Sequence, residues 1–101
     1  MNQSDFIKGH RFFELLKKLD FVEKIILFGS RARGDYAERS DIDLIISCPQ
    51  ATSKHWLIIL DIIEDADTLL KIDCIKLESL SESNHLKKSI QKEGVVLYER
   101  S

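Results

Sequence analysis

Two aspartates stand one residue apart at the start of an apolar run, in the stretch SDIDLIIS. Because residues i and i+2 of a β-strand project from the same face, Asp41 and Asp43 are expected to point together. Two unpaired carboxylates at that spacing repel each other and are costly to bury. A divalent cation removes this cost, and Mg²⁺ characteristically takes one or two carboxylates together with water and phosphate oxygens. The pair is therefore predicted to bind Mg²⁺ with a nucleoside triphosphate.

A third carboxylate interrupts another apolar segment, LLKIDCIKL, where Asp73 lies between Ile72 and Cys74. Two-metal phosphoryl transfer usually needs a further carboxylate for the metal that activates the attacking hydroxyl. We predict that Asp73 joins Asp41 and Asp43 from a neighbouring strand. The alternative is an acid at a strand edge that faces water.

A Gly-Ser turn ten residues before the aspartate pair supplies the groups that would hold phosphate. Gly29 directly follows the apolar run KIILF and allows the backbone to approach a ligand closely. Ser30 offers a hydroxyl and an amide at the start of a helix, where N–H groups attract anions. Arg31 and Arg33 are predicted to add charge-assisted contacts to phosphate oxygens. Ordinary solvent-facing arginines on a loop are the alternative for either one.

Apolar periodicity predicts the elements that position these residues. Helices are expected over 5–19, 30–32, 53–65 and 83–93, and strands over 24–28, 41–47, 69–77 and 95–99. This order predicts an α/β (α+β) fold, in which a small mixed sheet of about four strands is covered by helices. The 101 residues are expected to form one domain, 1–101.

Composition limits the classes of function. A net charge of −2 provides no basic surface for extended nucleic-acid binding. Cys48 and Cys74 lack CxxC spacing and are interpreted as small buried apolar residues in a reducing compartment. The first ten residues lack the order of a signal peptide, and the longest apolar run, WLIIL, is too short to span a bilayer. The expected location is the cytoplasm, with no membrane partner.

The motif "GS", ten residues, then "DID", followed by a later strand aspartate, resembles the nucleotidyltransferase superfamily of the DNA polymerase β type. The short length points more narrowly to minimal nucleotidyltransferase (MNT) proteins. The resemblance implies a polymerase β-like palm fold, in which Gly29 and Ser30 hold the triphosphate. It assigns Asp41 and Asp43 to both metal ions, and Asp73 to the second ion and to activation of the acceptor hydroxyl. The implied reaction transfers a nucleoside monophosphate from Mg-NTP, usually ATP, and releases pyrophosphate.

The resemblance also implies a partner. Many minimal nucleotidyltransferases are encoded beside an all-helical HEPN protein and are similar to antitoxins, some of which adenylylate that partner. The expected function is thus nucleotidyl transfer to a hydroxyl of a HEPN toxin. One alternative is a non-catalytic antitoxin that silences the HEPN partner by binding, and another is a small-molecule (antibiotic) nucleotidyltransferase. A homo-oligomer is compatible with the sequence.

Overall fold

The computed structural model of the protein describes residues 2–100, which form helices on both faces of one sheet. In chain order the elements are α1 (Gln3–Lys8), α2 (Arg11–Lys17), β1 (Lys24–Phe28), α3 (Ser30–Arg33), β2 (Ile42–Ser47), α4 (Ser53–Glu64), β3 (Ile72–Lys76), α5 (His85–Glu93) and β4 (Val95–Glu99). A 3₁₀ turn, Leu77–Ser79, follows β3. The predicted α/β class with a four-stranded sheet is confirmed. None of the helices within residues 2–100 is long and apolar enough to cross a bilayer.

The sheet is mixed, as the sequence predicts, and its strand order is β3-β2-β1-β4. β1 runs antiparallel to both β2 and β4, whereas β2 and β3 are parallel. The carboxyl end of β1 therefore lies at the same end of the sheet as the amino ends of β2 and β3. All the turns that carry the candidate site residues meet at this end of the sheet.

Strand alternation divides the core between the two faces of the sheet. On one face, buried side chains of β1 and β2 pack against α1, α2 and α4. The strand residues are Ile25, Leu27, Leu44 and Ile46, and the helix residues are Ile7, Phe12, Phe13, Leu16 and Ile59. On the other face Ile26 and Ile45 pack against Ile90 of α5. Helical cover on the second face is thinner, which leaves the polar end of that face accessible.

The first predicted helix, 5–19, is wrong in one respect, because the structure has two helices there. α1 ends at Lys8 and α2 begins at Arg11. Glycine at position 9 weakens a continuous helix, and the N-cap residue His10 makes no side-chain capping bond. Asp67 from a distant loop caps α2 instead, since its carboxylate oxygens accept from the backbone N–H groups of Arg11 at 3.0 Å and Phe12 at 3.2 Å.

The third strand is shorter than the predicted 69–77 and spans Ile72–Lys76. Its pairing with β2 starts where the N–H of Ile42 donates to the carbonyl oxygen of Lys71 at 2.8 Å. β2 begins at Ile42, so residues 69–71 have no strand beside them to extend the pairing. Leu69 is accordingly fully exposed.

Asp67→Ala is expected to lower the melting temperature at neutral pH, because two N–H groups of α2 lose their acceptors. The pKa of Asp67 is lowered on folding, first of all by the hydrogen bond from the N–H of Arg11. Its stabilisation is therefore complete above the ordinary aspartate pKa and is lost as the pH falls through the lowered pKa. Thermal unfolding across this pH range should show the two proteins converging in acid. Asp61→Ala, which removes an exposed α4 carboxylate, is the control.

Candidate active site

The three predicted aspartates come together at the polar end of the sheet, where β2 and β3 begin. Asp43 lies in β2 and is directly paired in register with Asp73 of the parallel neighbour β3. Asp41 immediately precedes β2, two residues before Asp43. Neighbouring strands are about 4.8 Å apart, so Asp43 and Asp73 project side by side from one face. Asp43 is the central member of the set.

The electrostatics of Asp43 reflect this crowding. Its pKa is raised by partial burial, then by the negative charges of Asp73 and Asp41, while Arg33 and Lys71 act in the opposite direction. The ionised form of Asp43 is thus destabilised by its surroundings in the protein alone. A bound cation would reverse this, because opposite charge within a few ångströms favours a carboxylate.

Sequence reasoning missed Lys71 as a member of this site. Its Nζ lies 3.6 Å from Oδ1 of Asp73, and the two side chains are 71% and 44% exposed. An ion pair this exposed contributes little to stability. The signal was present in the sequence, since positions 71 and 73 share a face of an extended chain. The pair leaves Asp73 with a cation beside it when no metal is bound.

The Gly-Ser turn approaches Asp43 from β1. Gly29 has φ 76° and ψ −155° and is the N-cap of α3, whose N–H groups at Ala32 and Arg33 donate to its carbonyl oxygen. This backbone conformation is open to glycine and strained for other residues. A Cβ atom at position 29 would collide with Oδ2 of Asp43. The turn therefore leaves room for the carboxylate, and Ser30 follows as the first residue of α3.

The two arginines of the motif have different surroundings. Arg33 is exposed, and its Nε lies 3.3 Å from Oδ2 of Asp35. Its charge partly offsets the rise in the pKa of Asp43. Arg33 remains compatible with the predicted phosphate contact. Arg31 is buried, and all three of its guanidinium nitrogens donate to oxygen atoms of the protein. Three of its five N–H groups are thus engaged within the protein, which favours an internal structural role for Arg31 over the predicted phosphate contact.

The carboxylate set is open. Within residues 2–100, no three His, Cys, Asp or Glu side chains are arranged so as to hold a metal ion by themselves. Such a set does not fit a closed structural zinc site. It fits Mg²⁺, which takes one or two carboxylates and fills its other positions with water and substrate phosphate. Glycine at position 29 is also consistent with a Mg²⁺ site, because the absence of a Cβ atom keeps the carboxylate of Asp43 accessible from the turn.

A groove of about 530 Å³ opens beside Asp41 on the β3 side of the site. Its walls come from the loop before β2 and the loop before β3, and the lining residues are Glu38, Arg39, Asp41, Leu69, Leu70 and Lys71. Since Gly29 and Ser30 lie on the β1 side, the groove is on the opposite side of Asp43. The site thus has two approaches, one from the turn and one from the groove.

The cysteines take no part in this chemistry. Cys48 is fully buried as predicted, whereas Cys74 is only partly buried, and both thiols are free. Burial raises the pKa of Cys74 to about 12, and burial also raises the pKa of Cys48. A thiol must ionise to act as a nucleophile, so their interpretation as apolar packing residues is retained.

Two proteins of Methanocaldococcus jannaschii are similar to the chain over most of its length. The chain is 35% identical over 88 residues to "Putative protein adenylyltransferase MJ0604", an alignment that spans 76% of this chain and 79% of that protein. It is 32% identical over 91 residues to "Putative protein adenylyltransferase MJ1379", with 88% of each covered.

Solved structures share the fold. A crystal structure described as "the toxin-antitoxin with AMP-PNP" gives a TM-score of 0.68 at 20% identity, and the match covers 98% of this chain and 75% of that chain. A crystal structure of the toxin–antitoxin MntA-HepT gives a TM-score of 0.60 at 19% identity, with 96% and 70% covered. At these identities the likeness establishes the nucleotidyltransferase fold.

The family match covers the whole constellation of turn, strands and aspartates. Residues 12–101 match the family described as "Polymerase beta, Nucleotidyltransferase". Together with the two relatives, this match shows that the chain belongs to the polymerase β-type nucleotidyltransferase family and is a nucleotidyltransferase.

Proposed function

We propose that the chain transfers AMP from Mg-ATP to a hydroxyl group of a partner protein, and that this partner is a HEPN-type toxin. The observation that carries the proposal is the position of Asp43, which lies between the Gly29 turn on one side and Asp73 on the other. This arrangement gives the triphosphate and the acceptor separate approaches to one carboxylate centre. The names of the relatives as protein adenylyltransferases support a protein acceptor. Fold neighbours described as toxin–antitoxin structures, one with AMP-PNP, support the partner and the nucleotide.

The residues divide the reaction between them. Gly29 and Ser30 hold the phosphates from the β1 side, with Arg33 as a further cation near them. Asp41 and Asp43 would hold Mg²⁺ on the triphosphate, and Asp73 would hold a second ion on the acceptor side. Bound Mg²⁺ supplies charge neutralisation at the phosphate oxygens.

The acceptor enters from the groove beside Asp41 in this proposal. Its hydroxyl oxygen attacks the α-phosphorus in line, and a new O–P bond forms as the bond to the β-phosphate oxygen breaks. The hydroxyl proton passes to the carboxylate of Asp73, and pyrophosphate leaves on the Gly29 side. Positioning and electrostatic stabilisation provide the acceleration, as in other phosphoryl-transfer sites.

The test is co-purification with the protein encoded by the neighbouring gene, followed by incubation with ATP labelled at the α-phosphate and Mg²⁺. We expect label on the partner, and its loss in EDTA and in Asp73→Asn. Asp61→Asn, an exposed α4 carboxylate of the same chemistry, is the matched control and should label normally. Tight binding and silencing of the partner with no label would replace this proposal with the non-catalytic antitoxin. Label on a small-molecule hydroxyl, and none on protein, would replace it with the small-molecule enzyme.

A further inference from the structure

Arg31 is the one charged side chain that is buried among residues 2–100, with 4% of its surface exposed. Burying a guanidinium is costly unless its donors are satisfied. The residue lies in α3, directly after Ser30 of the phosphate-binding turn. A buried arginine at this place calls for an explanation beyond local helix structure.

The partners of Arg31 are uncharged and come from two separate segments. Nε donates to the carbonyl oxygen of Ser40 at 3.0 Å, and one terminal nitrogen donates to the carbonyl oxygen of Glu38 at 3.0 Å. The other terminal nitrogen donates to Oε1 of Gln3 in α1 at 2.8 Å. The rigid fork of the guanidinium therefore ties the loop before β2 to the first helix.

Two aromatic rings complete the enclosure of Arg31. The guanidinium carbon is 5.0 Å from the centre of the Tyr36 ring and 5.9 Å from that of Phe6. Both distances are within the range of cation–π attraction. One ring belongs to the loop and the other to α1, so the rings join the same two segments as the hydrogen bonds.

The segment that Arg31 holds delivers Asp41. The turn 37–40 is closed by its own bonds, because Ala37 N–H donates to Oγ of Ser40 at 2.8 Å and Ser40 N–H donates to the carbonyl oxygen of Ala37 at 3.0 Å. Asp41 follows Ser40 directly. Residues 33–39 are all exposed and have no core packing to fix them. Arg31 is thus the internal anchor for this exposed turn.

We propose that Arg31 is a positioning residue of the active site, which holds the turn 37–40 so that Asp41 stays beside Asp43. It acts through Asp41 on the binding of Mg²⁺ and does not contact phosphate. The inference rests on the proposed function for the metal and ATP, and it goes beyond that function in assigning the arginine of the motif to the metal side. Lysine at position 31 would keep the charge but lose the planar fork that reaches three acceptors.

Arg100 offers a matched control at the far end of the sheet. Its Nε donates to the carbonyl oxygen of Val22 at 3.2 Å, and a terminal nitrogen donates to that of Leu19 at 2.8 Å. It follows β4, whose last residue pairs with Lys24 at the start of β1. Arg100→Lys therefore breaks the same kind of arginine–carbonyl bonds at the end of β1 remote from Gly29.

The experiment measures binding of a non-hydrolysable ATP analogue by calorimetry as Mg²⁺ is titrated, with thermal unfolding alongside. Removing a group that orients a metal ligand typically costs roughly 10–100-fold in metal affinity. The Mg²⁺ midpoint is the Mg²⁺ concentration that gives half of the maximal binding of the analogue. We expect Arg31→Lys to raise this midpoint by at least about tenfold, while the affinity of the variant for the analogue in EDTA stays at the wild-type value. Arg100→Lys should lower the melting temperature without moving the midpoint. Gln3→Ala, which removes one of the three acceptors, should move the midpoint in the same direction by less.

Three results are decisive. An unchanged Mg²⁺ midpoint in both Arg31→Lys and Gln3→Ala would overturn the positioning role. Weaker analogue binding in EDTA for Arg31→Lys would restore the phosphate-binding role and also overturn the inference. If wild-type protein binds the analogue equally with and without Mg²⁺, the Mg-ATP part of the proposed function fails first, and the inference falls with it.

Discussion

Asp43→Asn is expected to reduce nucleotidyl transfer by roughly a thousandfold, because a metal ion contributes several kcal/mol of transition-state stabilisation and each ~1.4 kcal/mol is a factor of ten in rate. Asp43 is the carboxylate that lies against the Gly29 turn and pairs in register with Asp73. Asparagine keeps its size and removes the charge that holds the ion. Initial rates of partner labelling at saturating ATP and Mg²⁺ measure the effect.

The same substitution is expected to raise the melting temperature of the metal-free protein at neutral pH. Folding raises the pKa of Asp43 through burial and the charges of Asp73 and Asp41. The folded state therefore holds the proton more tightly, and stability falls as the pH rises from the ordinary aspartate pKa through the raised pKa. The gain from asparagine should appear above this window and vanish below it.

Loss of activity with a gain in stability distinguishes a functional carboxylate from a structural one. Asp61→Asn provides the comparison, since it makes the same chemical change on the exposed surface of α4 and should alter neither quantity appreciably. An Asp43→Asn variant that transfers AMP at the wild-type rate would refute the assignment of Asp43 to the active site. An inactive variant with a lower melting temperature would show that the repulsion at Asp43 is unimportant.

Gly29→Ala is expected to lower the transfer rate by roughly a hundredfold, because displacement of reacting groups by about 1 Å can cost that much. An added Cβ collides with Oδ2 of Asp43, so either the carboxylate or the turn must move. The backbone conformation at φ 76° adds strain of about 1–3 kcal/mol for a residue other than glycine. Chemical denaturation measures the free energy of unfolding, and labelling kinetics measure the rate.

Gly34→Ala separates the effect of backbone strain from the effect of the collision with Asp43. Gly34 also has positive φ, at 93°, but a Cβ there meets nothing within 4 Å. Its substitution should cost about 1–2 kcal/mol of stability from backbone strain and leave the rate close to that of the wild type. Equal losses of activity in the two variants would show that turn geometry, and not contact with Asp43, is what the reaction requires.

Local patterns in the sequence were sufficient for much of the site. Short runs rich in β-branched and other apolar residues placed β1 at 24–28 and β4 at 95–99, both as found. The two-residue period of a strand predicted that Asp41 and Asp43 project together, and glycine after the first strand predicted the sharp turn that the structure has at position 29. Each of these features depends on the chain's own backbone geometry over a few residues.

Other features required the tertiary structure. The break between α1 and α2 depends on Asp67, which is 55 residues from Phe12 along the chain. The burial of Arg31 depends on acceptors 7, 9 and 28 residues away, two of them backbone carbonyl groups that no side-chain pattern reveals. Long-range partners of this kind decide which donors are free for a ligand.

The sequence by itself therefore determined the chemistry that the protein carries: the aspartates of two strands and the glycine turn before them. Only the tertiary structure decided that β2 and β3 are parallel neighbours in a register that sets Asp43 beside Asp73, with Lys71 next to them. It also buried Arg31 and bonded it to Gln3 and to the carbonyl groups of Glu38 and Ser40. The physical reason is that strand periodicity is a local property of the chain, whereas register and burial are set by packing between segments distant in sequence.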